Sequence, residues 1–206
     1  MVRLGVLGGT FDPVHLGHLI IAQESAQRAK LDSVLFVPAA RPWMKGGRSI
    51  APVEHRVAMV RLAIRGNPRF ALSLVDVARG GPSYAVDTLT DLRRQYGGKA
   101  RLFFIMGYDS LAGLPQWRDP GRLVALGRFI AVSRPGQPRP NVQDLDRRVP
   151  GLVRRLTLIE GVDIGISATE VRRRARAGLS IRYWVPPVVE RYIQEHRLYT
   201  RPRNGS

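Results

Sequence analysis

The segment GVLGGTFDPVHLGHLIIAQ, residues Gly5 to Gln23, decides how the rest of this chain is read. An apolar run from Val2 to Leu7 has the look of a short buried strand, and Leu19, Ala22, Ala26 and Ala29 recur at helical spacing across His18–Lys30. Between them lie a glycine pair, Gly8-Gly9, the dipeptide Asp12-Pro13, and two histidines, His15 and His18, on either side of Gly17. Gly8 and Gly9 predict a backbone path closed to residues with a Cβ, and close approach of a ligand to the main chain. A helix opening near Gly17-His18 would turn free N–H groups and its positive dipole end toward that ligand. Phosphate is the natural occupant, with imidazole donors from His15 and His18 beside it and Gly17 keeping room between them. The stretch lacks both G-x-G-x-x-G and a following G-K-[ST], so it is neither the dinucleotide fingerprint nor a Walker A loop. Two other readings stay open here: a metal held by the histidines with Asp12, or one histidine capping the helix while the other packs.

Working outward, strands are expected at Ser33–Ala39, Arg69–Val77, Arg101–Gly107, Arg128–Gly136 and within RRLTLIEG, residues 154–161. Helices are expected at Val53–Ile64, with Val57, Val60 and Ile64 on the apolar face, and at Tyr84–Tyr96, Thr169–Ala177 and Val188–His196. ARPWMKGGRSI and SRPGQPRPN are rich in Pro and Gly and read as loops. Strands alternating with helices imply a Rossmann-like α/β fold, a doubly wound parallel sheet with a small C-terminal helical segment over about 165–200. A single domain over 1–200 with a tail at 201–206 is the expected organisation. In such sheets ligands bind beyond the carboxyl ends of strands, where the strand order reverses. That directs attention to Gly8–His18, Pro38–Arg48, Val77–Ser83, Gly107–Trp117 and Ser133–Gly136.

Composition narrows the chemistry. The 206 residues contain no cysteine, which excludes disulfides, thiolate metal sites and a cysteine nucleophile. Nothing approaches a run of about 18 apolar residues, and the N-terminus lacks a signal-peptide pattern, so a cytoplasmic location is expected. Net charge is +17 and only Lys30, Lys45 and Lys99 are lysines, so arginine dominates the basic residues. Such a field attracts polyanions, but it fits a set of solvated guanidiniums equally well.

With its surroundings, GGTFDPVHLGH resembles the signature of the H-x-G-H nucleotidyltransferase superfamily, and within it the bacterial nicotinate-nucleotide adenylyltransferases. GPSYAVDTL (Gly81–Leu89), IMGYDSLAGLPQW (Ile105–Trp117), VSRPG (Val132–Gly136), ISATEVR (Ile166–Arg172) and the closing VPPVVERYIQEHRLY extend that resemblance over nearly the whole chain. It implies attack by the mononucleotide phosphate on the α-phosphorus of ATP. By resemblance His15, His18 and Arg172 are catalytic, and Gly8, Gly9, Thr10 and Phe11 form the floor under the nucleotide. Gly107 and Asp109 face the ribose or adenine, and Ser167, Thr169 and Arg172 the triphosphate. Ser83, Tyr84 and Ala85 offer backbone N–H groups to the nicotinate carboxylate, Trp117 stacks on its ring, and Arg118, Arg134, Lys45 and Arg48 complete the mononucleotide side. RPWMKGGRS departs from the family's P-x-x-P-H-K pattern, and Ala168 stands where the family has a second serine. Independently of any resemblance, Ser167 with Glu170 three residues on is a capping box. Arg173, Arg174 and Arg176 read as a solvated face.

The partners implied are ATP and nicotinate mononucleotide, with Mg2+ carried mainly by the ATP phosphates and no protein metal site. No nucleic acid or membrane is required, and association into a homo-oligomer is left open. Rival readings are a relative that adenylates nicotinamide mononucleotide or phosphopantetheine, a cytidylyltransferase, or a non-catalytic basic nucleic-acid-binding domain. Aromatics at 7% are too few and scattered for base stacking, which weighs against the last.

Overall fold

The structure is a computed structural model and describes residues 1–42, 50–133, 135–162 and 164–200. In chain order it runs β1 (Val2–Gly9), α1 (Leu16–Arg28), β2 (Ser33–Pro38), β3 (Arg41–Pro42), α2 (Val53–Ile64), β4 (Phe70–Leu72), α3 (Val75–Arg79), β5 (Pro82–Ser83) and α4 (Ala85–Tyr96). There follow β6 (Ala100–Gly107), α5 (Tyr108–Ala112), α6 (Pro120–Leu126), β7 (Arg128–Val132), α7 (Val142–Arg148), β8 (Leu156–Ile159), α8 (Ala168–Arg176) and α9 (Pro187–Glu195).

Six strands pair in parallel in the order β4-β2-β1-β6-β7-β8. The apolar strands have period two, and the sheet sorts each into two cores. Val34, Phe36, Phe103, Ile105, Ile130 and Val132 face α1, α2 and the C-terminal helices. Leu35, Val37, Leu102, Phe104, Phe129 and Ala131 face α4, α5, α6 and α7. Burial on both faces is why these strands read as continuous hydrophobic runs rather than alternating ones. This is the doubly wound Rossmann-like sheet expected. The chain builds outward from β1 to β4, then returns to β6 on the other side of β1, so the order reverses between β1 and β6. The carboxyl ends of those two strands therefore open the crevice where a ligand fits.

Three expectations are corrected. The strand predicted over Arg69–Val77 is confined to Phe70–Leu72, and Val75–Arg79 is helical. β4 is an edge strand paired only with β2, and Asp76 is drawn off it by Thr88 and Arg79, both 2.8 Å from its Oδ1. The helix after the histidine turn starts at Leu16, with His15 as its N-cap, so His18 lies within its first turn and does not open it. The apolar face of α2 is rotated from that expected: Arg56, Met59, Val60 and Ile64 are buried, while Val57 is half-buried. Helices α6 and α7 lie outside the expected elements although their caps are legible: Asp119 before Pro120 accepts from the Arg122 N–H, and Asn141 from that of Asp144.

Several arginines hold main-chain carbonyls near the amino ends of the strands, opposite the crevice. Arg3 donates to Ala29 and Lys30, Arg93 to Leu126, Arg128 to Arg154 and Arg155 to Gly127. These guanidiniums join loops while remaining partly or fully exposed to solvent.

Candidate active site

β1 delivers its carboxyl end to the crevice as Gly8, Gly9 and Thr10. Neither glycine has positive φ, so the expected path closed to Cβ-bearing residues is not what requires them. The reason at Gly9 is space: a Cβ there would lie 3.1 Å from the Phe11 ring. Gly8 is exposed and presents bare main chain. Phe11 takes a left-handed conformation (φ 50°) and turns its ring into the core, 1% exposed. Its side chain forms no floor to the crevice. Instead its ring meets the His18 ring edge-on at 5.0 Å and braces it from below.

His15 is 3% exposed and its imidazole stacks on that of His18 with centroids 3.7 Å apart. The His15 backbone N–H donates to His18 Nδ1 at 3.2 Å. A neutral imidazole that accepts at Nδ1 carries its proton on Nε2, so His18 holds an Nε2–H donor. Gly17 lines the crevice between the two histidines, and it is also required by packing: a Cβ there would come 3.1 Å from His15 Nδ1 and 3.4 Å from the Ile166 carbonyl. Glycine lets the His15 ring and the segment before α8 close onto α1. The first-turn amides are also less free than expected, because Leu16 N–H donates to the Trp184 carbonyl and His18 N–H to that of His15. Imidazole, more than backbone, supplies the donors at this wall. The reading with Asp12 as third metal ligand loses its carboxylate, which is bonded to Tyr199 and Ala51 instead.

The crevice encloses about 340 Å³ and is lined by Gly8, Gly9, Thr10, His15 and His18 from the β1 side. Gly107 and Asp109 from the β6 side, and Ser83, Ala85 and Trp117, complete that wall of expected residues. Trp117 is half-buried, its indole edge-on to Phe104 at 5.9 Å. Ser83 Oγ accepts from the Ala40 N–H at 2.9 Å, and the short β3–β5 pairing joins this loop to the one after β2. Tyr84 and Arg118 stand outside the lining and pack on each other, with the guanidinium 4.7 Å from the ring centroid and 3.4 Å from Asp87. Ser167, Thr169 and Arg172 also lie beside rather than in the lining. Arg172 donates to the Asp12 carbonyl and sits 3.7 Å from its carboxylate, with Thr169 Oγ1 at 3.5 Å. Only half of the expected capping box forms: Ser167 accepts from the Glu170 N–H, while the Glu170 carboxylate grips Arg173 through two bonds of 2.7 Å. Arg174 is likewise not merely solvated, since it lies over Trp184. Lys45, Arg48 and Arg134 lie outside the described residues.

Sequence reasoning passed over two buried groups at this site. Arg56, 2% exposed, donates to the carbonyls of Thr10, Ala39, Ala40 and Ala51 at 2.7–3.0 Å, tying together the loops after β1 and β2. Burial lowers its pKa, and Asp12 is the largest influence opposing that. Its signal was an arginine in phase with the apolar stripe of α2. Asp76 and Thr88 line the crevice and are joined by a 2.8 Å hydrogen bond, with Arg79 bridging Asp76 to Asp91. Burial would lower the Arg79 pKa, but its bonds to Asp91 and Asp76 outweigh that and raise it.

Residues 6–174 match the cytidylyltransferase-like family. A protein of Thermomicrobium roseum named probable nicotinate-nucleotide adenylyltransferase is 49% identical over 199 residues, covering 97% of this chain and 92% of the relative. One of the same name from Dehalococcoides mccartyi is 42% identical over 200 residues, covering 97% and 98%. The chain belongs to the nicotinate-nucleotide adenylyltransferase family. Solved structures of Plasmodium falciparum nicotinic acid mononucleotide adenylyltransferase, complexed with APC and with NaAD, superpose with a TM-score of 0.77 at 18% identity, over 97% of this chain and 98% of theirs. That likeness is one of fold. This nicotinate-nucleotide adenylyltransferase family member has, among its described residues, no helix long and apolar enough to cross a membrane.

Proposed function

We propose that this chain transfers the adenylyl group of ATP to nicotinate mononucleotide, forming nicotinate adenine dinucleotide and pyrophosphate, as a step of NAD biosynthesis in the cytoplasm. The observation that carries this reading is a single crevice at the reversal point of the sheet, with stacked imidazoles on one wall and an indole beside the start of α4 on the other.

A mononucleotide phosphate is largely dianionic at neutral pH, its second pKa being about 6. One of its oxygens forms the new bond to the α-phosphorus, the bond to the bridging oxygen breaks, and pyrophosphate leaves with that electron pair. No proton has to be removed from the nucleophile. The protein therefore acts by alignment and by placing donors where negative charge gathers. His18 Nε2–H faces the α-phosphate, with His15 behind it. Gly8, Gly9 and Thr10 offer main chain to the nucleotide, as does Phe11 through its backbone alone. Gly107 and Asp109 take the adenosine, and Ser167, Thr169 and Arg172 the outer phosphates. Ser83, Tyr84, Ala85, Trp117 and Arg118 take the nicotinate side, with Lys45, Arg48 and Arg134 assigned to it on sequence alone.

Magnesium fits as part of MgATP. Among the described residues no three imidazole or carboxylate groups cluster as a ligand set, and a hard cation held by phosphate oxygens and water needs none. When bound it neutralises charge on the triphosphate.

The decisive test is pyrophosphate release from MgATP with nicotinate mononucleotide, beside nicotinamide mononucleotide and phosphopantetheine. Release with the nicotinate substrate alone is expected, because main-chain N–H donors match a carboxylate and meet no acceptor in an amide NH2. Release only with phosphopantetheine would overturn the assignment. Replacing Trp117 with alanine is expected to raise KM for the mononucleotide roughly tenfold, the scale of one lost aromatic stack, and that for ATP less than about twofold. Equal effects on both substrates would remove the indole from the nicotinate pocket.

A further inference from the structure

Residues Phe11 to Val14 connect β1 to the His15 cap of α1 outside any helix or strand, so no regular ladder holds them, yet they are fully buried. What holds them comes from distant parts of the chain. The Asp12 carboxylate, 3% exposed, accepts at Oδ1 from the Tyr199 hydroxyl at 2.7 Å and from the Ala51 N–H at 3.2 Å. Arg172 binds the Asp12 carbonyl, and the Trp184 carbonyl receives the Leu16 N–H. Three of these tethers, Arg172, Trp184 and Tyr199, belong to the C-terminal segment, which thus grips the turn before and after His15.

Tyr199 is the tether least explained by packing. It takes a left-handed conformation, φ 61°, which an L side chain adopts only at a cost. Its ring packs at the margin of the core, which a phenylalanine would do equally well. The hydroxyl is the part that reaches the turn. Burial and the Asp12 carboxylate both push the phenol pKa upward, so the proton stays on tyrosine and the bond runs from Tyr199 to Asp12.

We propose that Tyr199 is a positioning residue: by holding the Asp12 carboxylate, its hydroxyl sets the geometry of the turn that carries His15 and His18. The path is short. Asp12 follows Phe11, whose ring braces His18, and precedes His15, whose N–H fixes the His18 tautomer. As a statement about turnover, this rests on the adenylyl-transfer reading above. As a statement about the turn, it does not.

Tyr199→Phe removes the hydroxyl and keeps the ring. In the pyrophosphate assay, at a temperature where both proteins are folded, kcat should fall roughly tenfold while both KM values stay within about twofold, the signature of misaligned donors. In the substrate-free protein, the imidazole NMR signals of His15 and His18 should shift or broaden. A variant with wild-type kcat, or one in which only KM rises, would overturn the proposal, whatever its Tm. Should the wild-type protein release no pyrophosphate, the functional reading fails. The NMR comparison then decides alone, and unchanged His15 and His18 signals overturn the positioning role.

Discussion

His18→Ala should lower kcat for adenylyl transfer by about 100-fold or more while leaving the protein folded. The side chain is half-buried at the crevice wall, and its Nδ1 accepts from the His15 N–H, which puts the ring's donor proton on Nε2. A single preorganised donor aimed at developing charge contributes about 10²–10³ in rate, because in a site shielded from water it needs no reorganisation as charge moves. The loss should fall on kcat more than on the KM of ATP, since the charge at the α-phosphate grows toward the transition state. The measurement is steady-state pyrophosphate release, with thermal melting to show that the variant is folded. Wild-type turnover in a folded variant would mean that the imidazole only packs between Phe11 and His15.

The second large effect concerns stability. Arg56→Met should destabilise the protein by about 3–5 kcal/mol, because it strips the donors from four carbonyls gathered around one buried guanidinium and removes one of the two positive charges near Asp12. For a chain of this length that corresponds to a fall in Tm of roughly 10 °C. Arg56→Lys should recover little, since one ammonium cannot reproduce a planar fork that spans the carbonyls of Thr10, Ala39, Ala40 and Ala51. Chemical denaturation of the three proteins checks this, and a loss under about 1 kcal/mol for Arg56→Met would show that water replaces the guanidinium. Thr10 and Ala39 line the crevice, so activity should decline below the temperature at which the variant melts.

Local signals served well where local physics governs. Strands buried on both faces announce themselves as apolar runs, and the amphipathic α4 as a 3.6-residue period, because solvent exposure follows those periods directly. They failed where a neighbour overrides them. Val75–Arg79 alternates as a strand would, but Asp76 is worth more to Thr88 and Arg79 than an edge-strand pairing, and the chain coils there. Glu170 stands at the right spacing to close a capping box, yet Arg173 outbids the Ser167 amide for its carboxylate. The glycines show the same limit. Gly8, Gly9 and Gly17 are recognisable as a requirement for small residues, but whether the need is conformation, ligand access or a packed ring depends on atoms elsewhere in the chain.

The sequence by itself determined the class of fold, the crevice at the end of the first strand and the family, since each is written in short-range spacing: apolar period, glycine turn, H-x-G-H. Only the tertiary structure decided how that turn is held. Arg56 lies 46 residues from the Thr10 carbonyl that it binds, Arg172 lies 160 from Asp12, and Tyr199 lies 187 from the same aspartate. Arg56 sits in the apolar stripe of α2, and Arg172 and Tyr199 in quoted motifs, yet neither stripe nor motif says which distant group each one binds. A buried carbonyl or carboxylate must be satisfied, but which distant donor satisfies it is set by where the sheet and its helices bring the chain back upon itself.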